Sequence, residues 1–283
     1  MQTKHLVVIG DCRSMAEIED ESIQLIITSS PYFNVKDYGA ENIGSIDEYE
    51  TYLKLMSEVF KECYRVLEDG RYFCINICDV VSGTTKYPIP CHYVGMLQKA
   101  GFEYRDDIIW KKAKAGSKYS SGAMKRFGVF VQNPYPMYYF PNNTYEHILI
   151  FRKGKFDYKK ISKEEKKTAK LDLEYVKCHW NNDIWEMSPQ TKNSHTKDLH
   201  PAMFPEPLPE AFIKLFTYEG ETVLDPFLGS GTTSKVAGNI NRNSIGYEIN
   251  HDYLETIKSK IGYKPDSSFR IIIRKPRGVF YED

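Results

Sequence analysis

The chain has 283 residues, 41% of them hydrophobic and 27% charged, with 38 basic side chains balanced by 38 acidic ones. That size and mixture suit a globular protein with one large α/β domain plus an insertion, or with two small domains. No apolar run approaches the roughly 20 residues that cross a bilayer, and MQTKHLVVIGDC (1–12) has no charged leader before a long apolar core, so a cytoplasmic protein without a membrane partner is expected.

HLVVI (5–9) and IQLIIT (23–28) are short, β-branched apolar runs and predict buried strands. Ser45 and Glu48 then stand at capping-box spacing, and Tyr49, Leu53, Met56, Phe60, Cys63 and Leu67 recur every three or four residues until Gly70. This predicts a helix lying on a sheet. RYFCINIC (71–78) reads as a strand, HYVGMLQKAG (92–101) as a short helix and EYRDDIIW (103–110) as a strand. Such alternation implies a mostly parallel sheet covered by helices. The pattern dissolves over 111–143, returns as a strand at EHILIF (146–151), and is lost again over the Lys-rich run to about Lys170 and over 178–195, where an insertion is expected. Past Pro201 the rhythm resumes with a helix over 209–217, proline in its first turn. Strand TVLD (222–225), a glycine loop, a helix from about Thr232, strand SIGYEI (244–249) and a helix over 250–261 follow. The tail FRIIIRKPRG is a candidate edge strand.

The six cysteines form no Cys-x-x-Cys pair and no histidine pair has zinc spacing, so free thiols and no metal are expected. Trp110, Trp180 and Trp185 are read as packing residues. The neutral total hides an uneven distribution. Lys111, Lys112, Lys114, Lys118, Lys125 and Arg126 are uninterrupted by acids, and 152–170 carries nine basic residues against three acidic ones, whereas 11–50 is acidic. Solvated surface accounts for any one such run; two adjacent basic blocks point to a basic face and an acidic back.

In VLDPFLGSGTTSKVAG, Asp225 ends a strand, Gly229 and Gly231 follow, and Thr232 opens a helix. Glycines let backbone amides approach a ligand, and a helix N-terminus favours a negative group such as a carboxylate. Glu248 ends the next strand, where doubly wound nucleotide-binding folds grip ribose hydroxyls. Thr232 stands where a P-loop needs lysine, and Ser234 where a dinucleotide fingerprint needs its third glycine. An adenosine without a phosphate chain is the expected ligand.

The other singular stretch is IITSSPYFNVKDYG (26–39), an apolar run that stops at two serines, a proline and a tyrosine. With both stretches in view, the sequence resembles the β class of S-adenosylmethionine-dependent DNA amino-methyltransferases. TSSPY resembles their Ser/Asn/Asp-Pro-Pro-Tyr motif and DPFLGSGTT their cofactor loop. HPAMFPEPLPE (200–210), SIGYEIN and NTYEHILIFRKG (143–154) match further motifs, in order. The resemblance spans nearly all of the chain outside 112–142 and 155–190. It implies a doubly wound, mostly parallel, seven-stranded Rossmann-like sheet with an inserted target-recognition region. Residues 1–111 would form the catalytic half, 112–195 the DNA-contacting loops and insertion, 196–262 the cofactor half and 263–283 a tail.

The resemblance also implies roles. Ser29 Oγ and the Ser30 carbonyl would accept hydrogen bonds from the target amine, Pro31 would stiffen the turn, and Tyr32 would stack on a flipped base. S-adenosylmethionine would lie among Asp225, Phe227, Gly229, Gly231, Thr232 and Glu248, with a β-carbon at Gly231 intruding on it, and with His200, Pro201 and Phe204 on the opposite wall. Asp11 would either reach the adenine ring in this pocket or cap the helix after it. Lys111, Lys112, Lys125, Arg126, Lys159, Lys160 and Lys163 would contact double-stranded DNA. The family usually has proline where Ser30 stands, so proline's fixed φ is lost there while Pro31 still favours extended backbone at Ser30. Serine first in the motif accompanies N4-cytosine methylation within the family, with N6-adenine as the alternative. A homodimer and a restriction endonuclease acting on the same site are compatible partners. Cytosine-C5 chemistry would need a cysteine nucleophile; Cys91, after Pro90, is expected to open a helix and be buried instead. RNA or glutamine methylation, and a DNA-binding protein with decayed chemistry, stay open as further alternatives.

Overall fold

Along β2 (Ile23–Ser29), Leu25 and Ile27 join one apolar cluster while Ile26 joins the cluster on the opposite side, the period of two that a pleated strand imposes. A strand buried on both faces needs helices on both sides. The computed structural model describes residues 2–35, 42–82, 85–112, 130–139, 141–188, 205–263 and 268–274.

In chain order the strands are β1 (His5–Ile9), β2, β3 (Leu67–Ile77), β4 (Val80–Ser82), β5 (Thr85–Tyr87), β6 (Glu103–Lys112), β7 (Tyr145–Arg152), β8 (Ile184–Met187), β9 (Thr222–Asp225), β10 (Asn243–Glu248) and β11 (Phe269–Ile273). The main sheet runs β11-β1-β10-β9-β2-β3-β7-β6-β8, with β4 and β5 as a separate hairpin. β7 is antiparallel to both of its neighbours; the other pairings in the main sheet are parallel. The seven predicted strands are therefore all present, but β8 and β11 extend the sheet to nine strands among the described residues. β11 is the edge strand that its apolar run suggested. β8 has four residues and buries only Trp185, too little to print an alternation in the sequence.

The helices are α1 (Tyr49–Val66), α2 (Ile89–Lys99), α3 (Lys163–Thr168), α4 (Leu173–His179), α5 (Pro207–Phe216), α6 (Thr232–Asn239) and α7 (Leu254–Ile261). α1 buries Tyr52, Leu55, Met56, Val59, Phe60, Cys63 and Val66 on one face and shares a cluster with Tyr93 and Leu97 of α2. On the opposite face α5 and α6 pack Phe212, Ile213 and Val236 against Leu25, Ile27 and Val223. Trp110 and Trp185 are buried in this second cluster and Trp180 packs at its margin, the packing role expected of all three.

Several local expectations change. Ser45 does not cap α1, which begins four residues later behind Glu48 with no side-chain cap; Ser45 instead completes a capping box with Asn42 on the turn Ile43–Ser45. Gly70 does not end α1, because α1 passes directly into β3 at Leu67. Its φ of +85° and the 2.5 Å that would separate a β-carbon from Phe156 Cα account for the glycine. Cys91 lies in the first turn of α2 but is exposed, and all six cysteines are free thiols. Residues 250–261 divide into a 3-10 turn, His251–Tyr253, and α7. No described helix is long and apolar enough to cross a membrane.

Gly246 lies in β10 directly under Leu228 of the glycine loop, and a β-carbon there would stand 2.6 Å from both Leu228 methyl carbons. Leu228 is only 4% exposed and has little room to retreat. Gly246→Ala is expected to lower the unfolding free energy by about 1–3 kcal/mol, the usual cost of overpacking, in urea denaturation monitored by circular dichroism. An unchanged midpoint would show that the loop yields freely.

Candidate active site

The chain leaves β9 toward β10 on one side and β2 toward β3 on the other, so connections diverge between β9 and β2. Open parallel sheets form a crevice at the carboxyl ends of strands at such a point. A cleft enclosing about 840 Å3, open mouth included, lies there, lined by Gly10–Cys12, Ser29–Pro31, Asn42, Ile43, residues 226–230, Thr232, Tyr247–Ile249 and Tyr253. The glycine loop and the TSSPY stretch, about 200 residues apart in the chain, thus face one cavity.

Asp225 joins them without lining it. The side chain is 1% exposed and accepts from Thr28 Oγ1 at 2.6 Å, Thr233 Oγ1 at 2.6 Å and the Phe227 amide at 3.0 Å. Burial pushes its carboxyl up to about 6, against the three hydrogen bonds that favour the charged form. One carboxylate thereby ties the end of β2 to the cofactor-type loop and to the first turn of α6. The pocket contact expected of Asp225 is replaced by this supporting role, because its oxygens already face three donors beneath the loop.

The loop itself is held by its backbone. The Leu228 amide bonds the Tyr247 carbonyl at 2.8 Å and the Gly231 amide the Leu228 carbonyl at 3.0 Å. Gly231 is the N-cap of α6 with φ +91°, in the left-handed region. A β-carbon on it would point to Ile261 and Ile257, 3.4–3.6 Å away, and not into the cleft. Glycine is needed there for its dihedral angles and not for ligand space, contrary to expectation. Lys260 Nζ bridges Ser230 Oγ at 2.7 Å and Thr232 Oγ1 at 2.9 Å, which braces the loop from α7.

Glu248 does line the cleft. Its Oε2 accepts from the Gly229 amide at 2.9 Å and its Oε1 from the Asn250 amide at 2.8 Å. Burial, the largest influence, pushes its carboxyl up to about 7. Asp11 lines the cleft and also caps the next turn, accepting from the Arg13 amide at 2.8 Å and pairing with the Arg13 guanidinium at 2.6 Å. Asp11 thus faces the cleft, and what it caps is a turn and not the predicted helix. His200, Pro201 and Phe204 lie outside the described residues.

At the end of β2, Ser29 is half-buried at the cleft and Ser30 is 1% exposed. Tyr52 donates to the Pro31 carbonyl at 2.9 Å, and the turn at Gly44 presses so closely that a β-carbon there would stand 2.9 Å from Pro31 Cβ. Tyr32 donates to Glu146 Oε2 at 2.8 Å, and Glu146 Oε1 pairs with Lys112 Nζ at 2.6 Å. The Tyr32 ring is 7% exposed, so the open stacking face expected of it is covered. Stacking calls for the ring to be uncovered as a base enters. Lys112 turns inward to Glu146 and not outward as a DNA contact. Lys111 is exposed and pairs with Glu186 at 3.2 Å. Lys159 and Lys163 are exposed on the insertion, Lys160 lies in the turn Tyr158–Lys160, and Lys125 and Arg126 fall outside the described residues.

Spacing arguments missed Thr28, Thr233, Gly246, Tyr52, Tyr93 and Glu146. Only Glu146 carried a signal, as the one acid at the head of an otherwise apolar strand. Among the described residues no cluster of His, Cys, Asp and Glu could hold a metal ion. The cleft fits an adenosine-type sulfonium ligand: Glu248 faces it as an acceptor, the Phe227 ring lines it, and no described lysine lines it to meet phosphate.

Residues 23–259 match the family model described as DNA methylase, which joins N6 and N4 methyltransferases. The type II methyltransferase M.MjaI of Methanocaldococcus jannaschii is 35% identical, over 93% of this chain and 92% of that protein. A Thermus thermophilus protein assigned as a DNA modification methylase, solved in complex with S-adenosyl-L-methionine, is 25% identical with a TM-score of 0.72, covering 95% of this chain and 98% of that one. The PvuII DNA methyltransferase, cytosine-N4-specific, shares the fold at a TM-score of 0.68 and 20% identity over 96% of each chain.

A folded-state carboxyl raised above its unfolded value stabilises fully below the unfolded pKa, and that contribution is lost as pH rises through the folded one. For Glu248 the window runs from the ordinary glutamate value of 4.5 to about 7. The stability of Glu248→Gln relative to wild type is accordingly expected to shift in the variant's favour by about 2 kcal/mol between pH 5 and pH 7.5, discounted for partial exposure. Urea denaturation at the two pH values reads the shift, and a pH-independent difference would place Glu248 in a water-like setting.

Proposed function

Because this chain belongs to the DNA amino-methyltransferase family, whose cofactor is S-adenosylmethionine, we propose that it methylates the exocyclic N4 of cytosine at a specific site in double-stranded DNA. The observation that carries this reading is the convergence of Ser29 and the Glu248-flanked glycine loop on one cleft. When bound, S-adenosylmethionine supplies an electrophilic methyl group on a sulfonium. Glu248 would accept from its ribose hydroxyls, and Phe227, Gly229 and Ser230 would border the rest of it.

An exocyclic amine is a poor nucleophile because its lone pair is delocalised into the base. Ser29 Oγ and the Ser30 carbonyl accept its two hydrogens, which favours a pyramidal nitrogen and stabilises positive charge as it builds there. This is electrostatic stabilisation aimed at the transition state, with no covalent enzyme intermediate. The amine must face the methyl squarely, so the base leaves the duplex stack and is held against the Tyr32 side of the turn. Ser29 supports cytosine over adenine through the family pattern of the motif's first residue, and both amines could bond a neutral hydroxyl, so pocket shape contributes too.

Residues 112–195 supply DNA contact and sequence choice in this reading, with Lys159, Lys160 and Lys163 meeting phosphates. The type II relatives support a companion endonuclease that recognises the same sequence.

Ser29→Ala is expected to slow methyl transfer by about a hundred- to thousandfold, equivalent to about 2–4 kcal/mol in the barrier, while S-adenosylmethionine affinity measured by calorimetry barely changes. Nucleoside mass spectrometry of DNA treated with the wild type should show N4-methylcytosine; N6-methyladenine alone would overturn the cytosine assignment and 5-methylcytosine the mechanism.

Neutralising Lys159, Lys160 and Lys163 together to Gln should flatten the slope of log DNA affinity against log salt by up to roughly 0.9 for each phosphate no longer neutralised. The same slope in variant and wild type would place the DNA elsewhere.

A further inference from the structure

Ser30 stands between two anchors. Its hydroxyl lies 3.2 Å from the Tyr93 hydroxyl, which is 2.5 Å from the Tyr52 hydroxyl, and Tyr52 donates to the Pro31 carbonyl at 2.9 Å. The chain of hydroxyls therefore leaves the motif at the Ser30 side chain and returns to it at the next residue's backbone. The Ser30 carbonyl, on the peptide bond between those two points, is the acceptor assigned to the target amine above.

Both tyrosines are rigid. Each is fully buried. Tyr52 packs on Phe33 with ring centroids 5.4 Å apart, and Tyr93 meets Phe60 edge-on at 5.0 Å. They come from α1 and α2, on the helical layer behind the sheet, and neither lines the cleft. A buried hydroxyl needs a partner, and these three find theirs in one another and in the Pro31 carbonyl, inside an apolar cluster. Serine in place of proline removes a fixed φ from Ser30, and an acceptor that drifts loses its value in the transition state.

We propose that Tyr52 and Tyr93 are positioning residues that aim the Ser30 carbonyl at the target amine, with the Ser30 hydroxyl as their handle. The inference rests on the reading of the motif as the amine-binding site. Tyr52→Phe, Tyr93→Phe and Ser30→Ala each delete one hydroxyl with almost no change of volume. Each should lower the single-turnover methylation rate about tenfold while dissociation constants for S-adenosylmethionine and for target duplex stay within about twofold. Because Tyr93 acts through Ser30, the double variant Tyr93→Phe with Ser30→Ala should be no more than about twofold slower than the slower single variant.

Wild-type rates in Tyr52→Phe and Tyr93→Phe would overturn the inference, and so would a double variant about a hundredfold slow, which would show that the hydroxyls act independently. A merely structural role would lower the melting temperature and leave the rate at 20 °C unchanged, again against it. If a tyrosine variant fails to fold, Ser30→Ala alone decides, since it removes the handle from within the turn. Ser29→Ala separates the two levels. A wild-type rate in Ser29→Ala removes the motif reading together with the inference, whereas a slow Ser29→Ala beside full-rate Ser30→Ala and tyrosine variants removes the inference only.

Discussion

A carboxylate that is shut away from water must be met by donors, and Asp225 draws its three from three different places: the end of β2, the glycine loop and the first turn of α6. Much of the site's geometry follows from this demand. β9 and β2 are neighbours at the point where the chain's connections diverge, so the crevice opens above Asp225. Thr28, one of its donors, immediately precedes Ser29. The glycine loop and the TSSPY turn are thereby referenced to one buried group, and their separation is set by the sheet and not by the loops themselves. A methyl transfer that requires donor and acceptor to be collinear depends on such a shared reference.

The backbone around the cleft is shaped by what is left out as much as by what is present. Gly246 leaves room for Leu228, Gly44 lets its turn press on Pro31, and Gly231 adopts a left-handed φ that starts α6. At the first two the missing β-carbon admits a neighbouring segment, at Gly231 glycine supplies the dihedral angles, and none of the three opens space for the ligand. At Ser30 the hydroxyl meets Tyr93, which in turn meets Tyr52.

Charge is partitioned between the interior and the surface in a way that composition conceals. Of the two basic blocks, Lys112 is taken up by Glu146, Arg152 by Glu103 and Lys153 by Glu21. Lys153 also donates to the Tyr64 and Leu67 carbonyls, which fastens the end of α1 to the chain just after β7. Of these acids only Glu146 is buried, and removing Lys112 would leave its charge uncompensated; Glu103 and Glu21 stay largely exposed, where a pair contributes little. Among the described residues of the second block, Lys159 and Lys163 stay exposed on the insertion. The basic face is accordingly narrower than the raw count of lysines.

Local order was legible in the residues themselves. The run TVLD, the glycine loop with its helix, the apolar stripe of α1 and the seven central strands could all be placed, because periods of two and 3.6 and the φ freedom of glycine act over a few neighbours. The TSSPY turn and the glycine loop could be singled out, and they face one cleft. Which partner each polar group would find was not legible. Thr28 meets Asp225 across 197 positions and Tyr32 meets Glu146 across 114, and no local period encodes a contact at such range. Lys112 therefore read as a surface charge, Asp225 and Gly231 as ligand contacts, and Ser45 as a cap. A side chain's direction and its hydrogen-bond partner depend on which strands become neighbours, and that is decided only when distant apolar faces close on one another and force every buried polar group to find a partner.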